Sequence, residues 1–113
     1  MDAKLEWEIK VDNIDLIKRA SEQAVKVALE AVGLQAENYA KRLCPVDTGN
    51  LRNSITHDTD VGELCAYVGT NVEYAAYVEY GTQKTKAQPY IKPAVNNHKA
   101  EYRDIFQYYL QNA

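Results

Sequence analysis

Cys44-Pro45-Val46-Asp47-Thr48-Gly49-Asn50-Leu51-Arg52 reads as an elbow between two elements. Pro45 cannot continue a helix that precedes it, because it lacks an amide proton and its ring meets the carbonyl four residues back. Asp47 or Thr48 supplies a side-chain oxygen that can cap the amides of a new helix. Two later stretches repeat the stop and start. Tyr74-Ala75-Ala76-Tyr77-Val78-Glu79-Tyr80-Gly81-Thr82 halts at Gly81, and Ala87-Gln88-Pro89-Tyr90-Ile91-Lys92-Pro93-Ala94 restarts at Pro93. This punctuation specifies architecture before chemistry.

Upstream of the elbow, Leu5-Glu6-Trp7-Glu8-Ile9-Lys10-Val11 alternates apolar and charged residues, the period of a strand with one covered face, and Trp7 falls on that face. Asp12 or Asn13 then offers a cap. Ile17, Ala20, Ala24, Val27, Ala28, Ala31, Val32, Gln35, Tyr39 and Leu43 recur at steps of three and four, which predicts one long amphipathic helix. Thirty helical residues reach about 45 Å, whereas a compact chain of this size has a radius of gyration of about 13 Å. Either the helix bends near Gly33 or the molecule is elongated. A helix longer than its own domain exposes apolar surface for a neighbour to cover.

Downstream, residues 47–53 predict a short helix or turn, and residues 54–61 and 64–70 a hairpin turning at Gly62-Glu63. Residues 74–80 form a short helix stopped by Gly81, and the polar loop 82–88 is expected to be mobile when unpartnered. A last helix starts at Pro93, and its stripe of Ala94, Val95, His98, Tyr102, Ile105, Phe106 and Tyr109 is expected to pack on the sheet. Tyr108 falls on the other face with Glu101 and Asp104. No repeat or linker divides residues 1–113, so one domain is expected.

A net charge of -3 with interleaved signs argues against an electrostatic nucleic-acid binder. No secretory head or bilayer-length apolar run is present in the sequence, which predicts a soluble cytoplasmic product. Cys44 and Cys65 read as buried free thiols without assigned chemistry.

Asp47-Thr48-Gly49 matches the aspartic-protease tripeptide, but that chemistry needs a tight loop of an all-β fold, and here a helix precedes and Asn50-Leu51-Arg52-Asn53 follows. Capping is the better reading. Arg52 could pair with Asp47 or Glu79 to hold the turn. His57, His98, Cys44 and Cys65 lack the close pairs from which zinc sites are built. His98 reads as a core histidine. His57 lies near Asp58 and Asp60 in sequence, with no nucleophile paired to them. The five glycines are too scattered for a phosphate loop, so neither a cofactor nor a metal is expected. Tyr74, Tyr77, Tyr80 and Tyr90 bracket the loop carrying Lys84 and Lys86, and tyrosine beside lysine suits a protein interface better than a nucleobase platform here.

In combination and order, residues 45–55, then Val68-Gly69-Thr70 with residues 74–82, then residues 87–94, resemble the head-tail joining proteins of long-tailed bacteriophages, the neck or tail-completion family. The resemblance implies an α+β subunit in which a long N-terminal helix packs on a small, mainly antiparallel sheet, with a C-terminal helix. It implies no enzyme activity. It implies self-association into a ring, sixfold like the tail, between head-completion and tail proteins, with DNA passing through without sequence-specific binding. Assembly would occur in the host cytoplasm and the product would reside in the virion neck or tail, with no membrane partner. On this reading Asp47, Thr48, Gly49, Leu51 and Arg52 shape the elbow. Tyr77, Glu79, Tyr80, Gly81 and Thr82 present the loop with Lys84 and Lys86, and Pro89 and Pro93 end it. The alternative is a small prophage-encoded nucleic-acid-binding regulator using Lys84, Lys86 and the nearby tyrosines.

Overall fold

A computed structural model of the chain describes residues 5–11, 14–45 and 49–112. The expected caps at Asp12 or Asn13, and at Asp47 or Thr48, lie outside those residues. The order is β1 (Leu5–Lys10), α1 (Ile14–Arg19), α2 (Glu22–Leu43), α3 (Asn50–Ser54), β2 (Thr56–Asp60), β3 (Cys65–Thr70), α4 (Ala75–Tyr80), α5 (Ile91–Asn96) and α6 (Lys99–Gln111). The sheet is antiparallel in the order β1-β3-β2. This is the α+β arrangement of a long helix on a small sheet with a helical C-terminus.

The period-two strand of residues 5–11 is present, with Leu5 and Ile9 buried and Trp7 packed against the core beside them. The hairpin turns where Gly62 and Glu63 stand, with Leu64 N donating to Val61 O and Glu63 N to Asp60 Oδ1. The long helix is interrupted, but not at Gly33. The break falls at Ala20-Ser21, where Ser21 adopts extended backbone and its Oγ accepts from Ala24 N at 3.1 Å, the geometry of an N-cap. The 22 residues of α2 then run unbroken for about 33 Å.

Gly33 has a different task. Glu30, Gly33 and Glu37 share one side of α2, and the His57 ring of β2 lies across Gly33. A Cβ on Gly33 would stand 2.8 Å from His57 Cδ2. His57 Nδ1 faces Glu37 Oε1 at 2.9 Å and Nε2 faces Glu30 Oε2 at 3.1 Å. Both ring nitrogens therefore tie the edge strand to the helix. Asp58 and Asp60 are on the opposite face of β2, because side chains alternate along a strand.

The core lies between α2 and one face of the sheet. Ala24, Val25, Ala28, Leu29, Val32, Ala36 and Ala40 line the inner side of α2 against Leu5, Ile9, Ala66 and Val68. The four alanines allow neighbouring backbones to come close, and α6 packs along α2 there. Tyr39 Oη and Gln35 Nε2 both donate to the Glu101 carboxylate, at 2.7 and 3.1 Å, and His98 stacks on Tyr39 with centroids 3.7 Å apart.

The C-terminal element departs from the single helix expected from Pro93. It is two helices broken at Asn97-His98, and Pro93 is the third residue of α5 rather than the first. The stripe also packs differently: α5 meets β1 and α2, while α6 covers α2 and α1. Tyr102, Phe106 and Leu110, four residues apart, face inward, which turns Tyr109 to the surface with Tyr108.

Of the two outcomes open from the sequence, a bend near Gly33 or an elongated molecule, the second holds: the molecule measures 51 × 25 × 20 Å with a radius of gyration of 14.9 Å. Cys44 and Cys65 are buried free thiols. Burial pushes both thiols, and the Tyr90 and Tyr102 phenols, above their ordinary ranges. In the folded chain they keep their protons where the unfolded chain loses them, above about pH 8.5 for cysteine and about pH 10 for tyrosine. Stability from these groups is complete below pH 8.5 and declines as pH rises through that window. Thermal melts should show a level Tm from pH 7 to 8 and a steady fall from pH 9 to 11.

Candidate functional site

Several of the residues singled out in the sequence, Tyr77, Thr82 and Lys86 among them, meet Pro45 just past the C-terminal end of α2; Asp47 and Thr48 lie outside the described residues. Gly49 has φ +78 and occupies the cap position of α3. Leu51 is buried beneath α3 and Arg52 is exposed on it. Asn50 Nδ2 donates to Tyr74 Oη at 3.3 Å, joining α3 to the start of α4. Pro45, Tyr74, Tyr77, Val78, Thr82, Thr85, Lys86 and Gln88 line a shallow pocket of about 200 Å³ between elbow and loop. Tyr77 and Tyr80 are 63% and 58% exposed. Tyr90 is not part of that surface: it is fully buried and its hydroxyl donates to Ala75 O at 3.1 Å.

Glu79 is the organising residue, and the anticipated Arg52–Glu79 pair is not formed. Ala75 and Glu79, four apart, share the buried side of α4. The carboxylate is 2% exposed and accepts three backbone amides, Tyr90 N at 3.2 Å and Ile91 N at 2.8 Å on Oε1, and Lys92 N at 3.1 Å on Oε2. A helix leaves its first four N–H groups without internal partners. At α5 these belong to residues 90–93; Glu79 takes the first three and Pro93 has none to offer. The buried charge is thereby met by three donors and the helix start is satisfied.

The loop is closed on itself rather than open. Gln88 N donates to Val78 O and Thr82 N to Thr85 O, each at 2.9 Å. Thr82 Oγ1 accepts from the amides of Lys84 and Thr85 at 3.2 and 3.0 Å. Gly81 makes the reversal possible with φ +77 and ψ 177, a region that only glycine enters freely. Lys84, Lys86 and Pro89 are exposed around it.

Sequence reasoning did not identify the Glu79 anchor or the His57–Glu30–Glu37 bridge. An acid on the apolar side of a short helix, fourteen residues before the proline that marks the next helix, was the available signal for the first. The second had none, because its partners come from different elements. A larger cleft between β1 and α6, lined by Glu8, Lys10, Lys99, Tyr102 and Arg103 among others, gathers no nucleophile with a base. Both His57 nitrogens face carboxylates, and among the described residues no cluster is arranged to hold a metal ion.

Helix caps, a tied loop and exposed aromatics are what the described residues present here. Residues 4–81 match the HK97-gp10-like family, described as "Bacteriophage HK97-gp10, putative tail-component", and the chain belongs to that family. No curated protein and no solved structure gives a significant match. The protein is thus a tail-related structural component of a bacteriophage, a class that implies a non-enzymatic role and contacts with other phage proteins. Among the described residues no helix is long and apolar enough to cross a membrane.

Proposed function

We propose that this protein is a neck component that joins the phage head to the tail, assembling as a ring around the DNA passage. The observation that carries this reading is the family match over residues 4–81. The shape of the subunit supports it. Val27 and Leu34 stand one heptad apart on the outward side of α2, 45% and 49% exposed, and Tyr77, Tyr80, Tyr108 and Tyr109 add further aromatic surface. Like subunits in a ring can cover such residues, and a head-to-tail contact closes when its rotation fits. The expected symmetry is six, after the tail. Two end faces meet different partners, head-completion proteins on one side and tail proteins on the other. DNA passes through without base reading. The subunits assemble in the host cytoplasm and remain in the virion neck or tail.

Deletion of the gene in a propagating phage tests this by electron microscopy of the lysate. The expected result is DNA-filled heads and separate tails. Normally joined virions would overturn the reading.

A further inference from the structure

Among the described residues, α2 covers one face of the sheet; the other is mostly exposed, and at its β1 edge Glu8 and Lys10 also line the cleft with Lys99 and Arg103. That face carries three rows across β1, β3 and β2: Glu6, Gly69 and Thr56; Glu8, Tyr67 and Asp58; Lys10, Cys65 and Asp60. Glu6, Glu8, Asp58 and Asp60 are exposed, and Lys10, the one cation among them, lies 3.7 Å from Glu8. The four carboxylates are acceptors held on a rigid platform.

The complementary surface is in the same chain. From residue 53 to residue 83 there are five acids and no lysine or arginine; from residue 80 to residue 100 there are four lysines and no acid. Lys84 and Lys86 project from the turn that Thr82 ties, and neither forms an ion pair among the described residues. Tyr77 lines the same pocket as Lys86, and Tyr80 is exposed nearby in sequence. The loop shares a pocket with Pro45, just past the end of α2, whereas β2 is bound to Glu30 through His57. His57 also meets Glu37, so the path along α2 from these two anchors to Leu43 is about 9 to 20 Å.

We infer that the Lys84–Lys86 loop of one copy docks on the acidic exposed sheet face of the next copy. The inference rests on the ring reading above and names its contact. Donor loop and acceptor face differ, so the contact is heterologous, and each subunit gives one and receives one. Three strands of about five residues present a face of roughly 14 × 17 Å, well below the ~800 Å² per partner of a stable pair. A single contact is therefore weak and salt-sensitive, and closure of the ring adds to it.

Charge reversal tests this in the full-length chain, with sedimentation velocity as the readout across concentration and from 50 to 500 mM salt (~14 to ~4 Å screening length). The variants K84E/K86E and E8K/D58K should each lose self-association at least tenfold. Mixed in equal amounts, they should co-assemble, because each then offers a face to the other's loop. Circular dichroism verifies the fold, and E6K/E8K substitutes should E8K/D58K fail to fold. Wild-type-like assembly by both single-surface variants, or no recovery on mixing, would overturn the docking while leaving the ring intact. Absence of wild-type association at every concentration and salt would instead overturn the ring reading itself.

Discussion

Glu79→Ala should cost the protein about 3–5 kcal/mol, a large share of the ~5–15 kcal/mol that holds a domain of this size. The substitution removes the one acceptor shared by the amides of Tyr90, Ile91 and Lys92, leaving the first two buried and the third half-buried without that partner. Each bond joins a donor to a charged acceptor, the kind worth about 1.5–3 kcal/mol in place. The values do not add fully, because the freed segment can move toward water. Glu79→Gln keeps one carbonyl oxygen but turns an amide NH₂ toward other N–H groups, so a loss of about 2 kcal/mol is expected. Urea unfolding of both variants gives the ranking. A change below 1 kcal/mol in the alanine variant would mean that α5 does not depend on this anchor.

Gly81→Ala should cost about 3 kcal/mol and open the loop. The backbone at φ +77 and ψ 177 is a glycine region, where another residue bears about 1–3 kcal/mol of strain. The space is also taken: a Cβ would stand 2.7 Å from Ala87 N and 2.9 Å from Thr85 O, both main chain. These atoms belong to the turn that ties residues 82–88, so relief requires moving the turn. Hydrogen exchange at the Gln88 amide, which donates to Val78 O, should quicken with the loss of stability. Gly62→Ala is the control, since its nearest contact is Asp60 Oδ1 at an ordinary 3.4 Å. Equal, small effects at both glycines would contradict this account of the loop.

The strand of residues 5–11, the β2–β3 hairpin and the short helix ending at Gly81 were legible because each depends on local period and turn chemistry. The apolar stripe left open a bend near Gly33 or an elongated molecule; the molecule is elongated, although the helix breaks at Ser21. The breaks at Ser21 and Asn97 were hidden, since apolar residues keep three- and four-residue spacing across both, and the period alone cannot show where backbone hydrogen bonding lapses. Gly33 was suggestive for the wrong reason: low helix propensity marks it as a candidate break, yet its missing side chain makes room for an imidazole from another element. Glu79 was placed beside the right loop without its function, because a carboxylate reads as a surface residue until three amides are brought to it. The acidic sheet face follows from alternation along β1 and β2, but it becomes one surface only when the register through β3 is known.

Cryo-electron microscopy of the intact virion at the joint between head and tail tests the building-block account most directly. The account predicts a closed ring there, each density lobe accommodating a 51 Å-long subunit with its lysine loop against the neighbour's sheet. A joint with no density that fits this chain, or purified virions that lack the chain altogether, would contradict it.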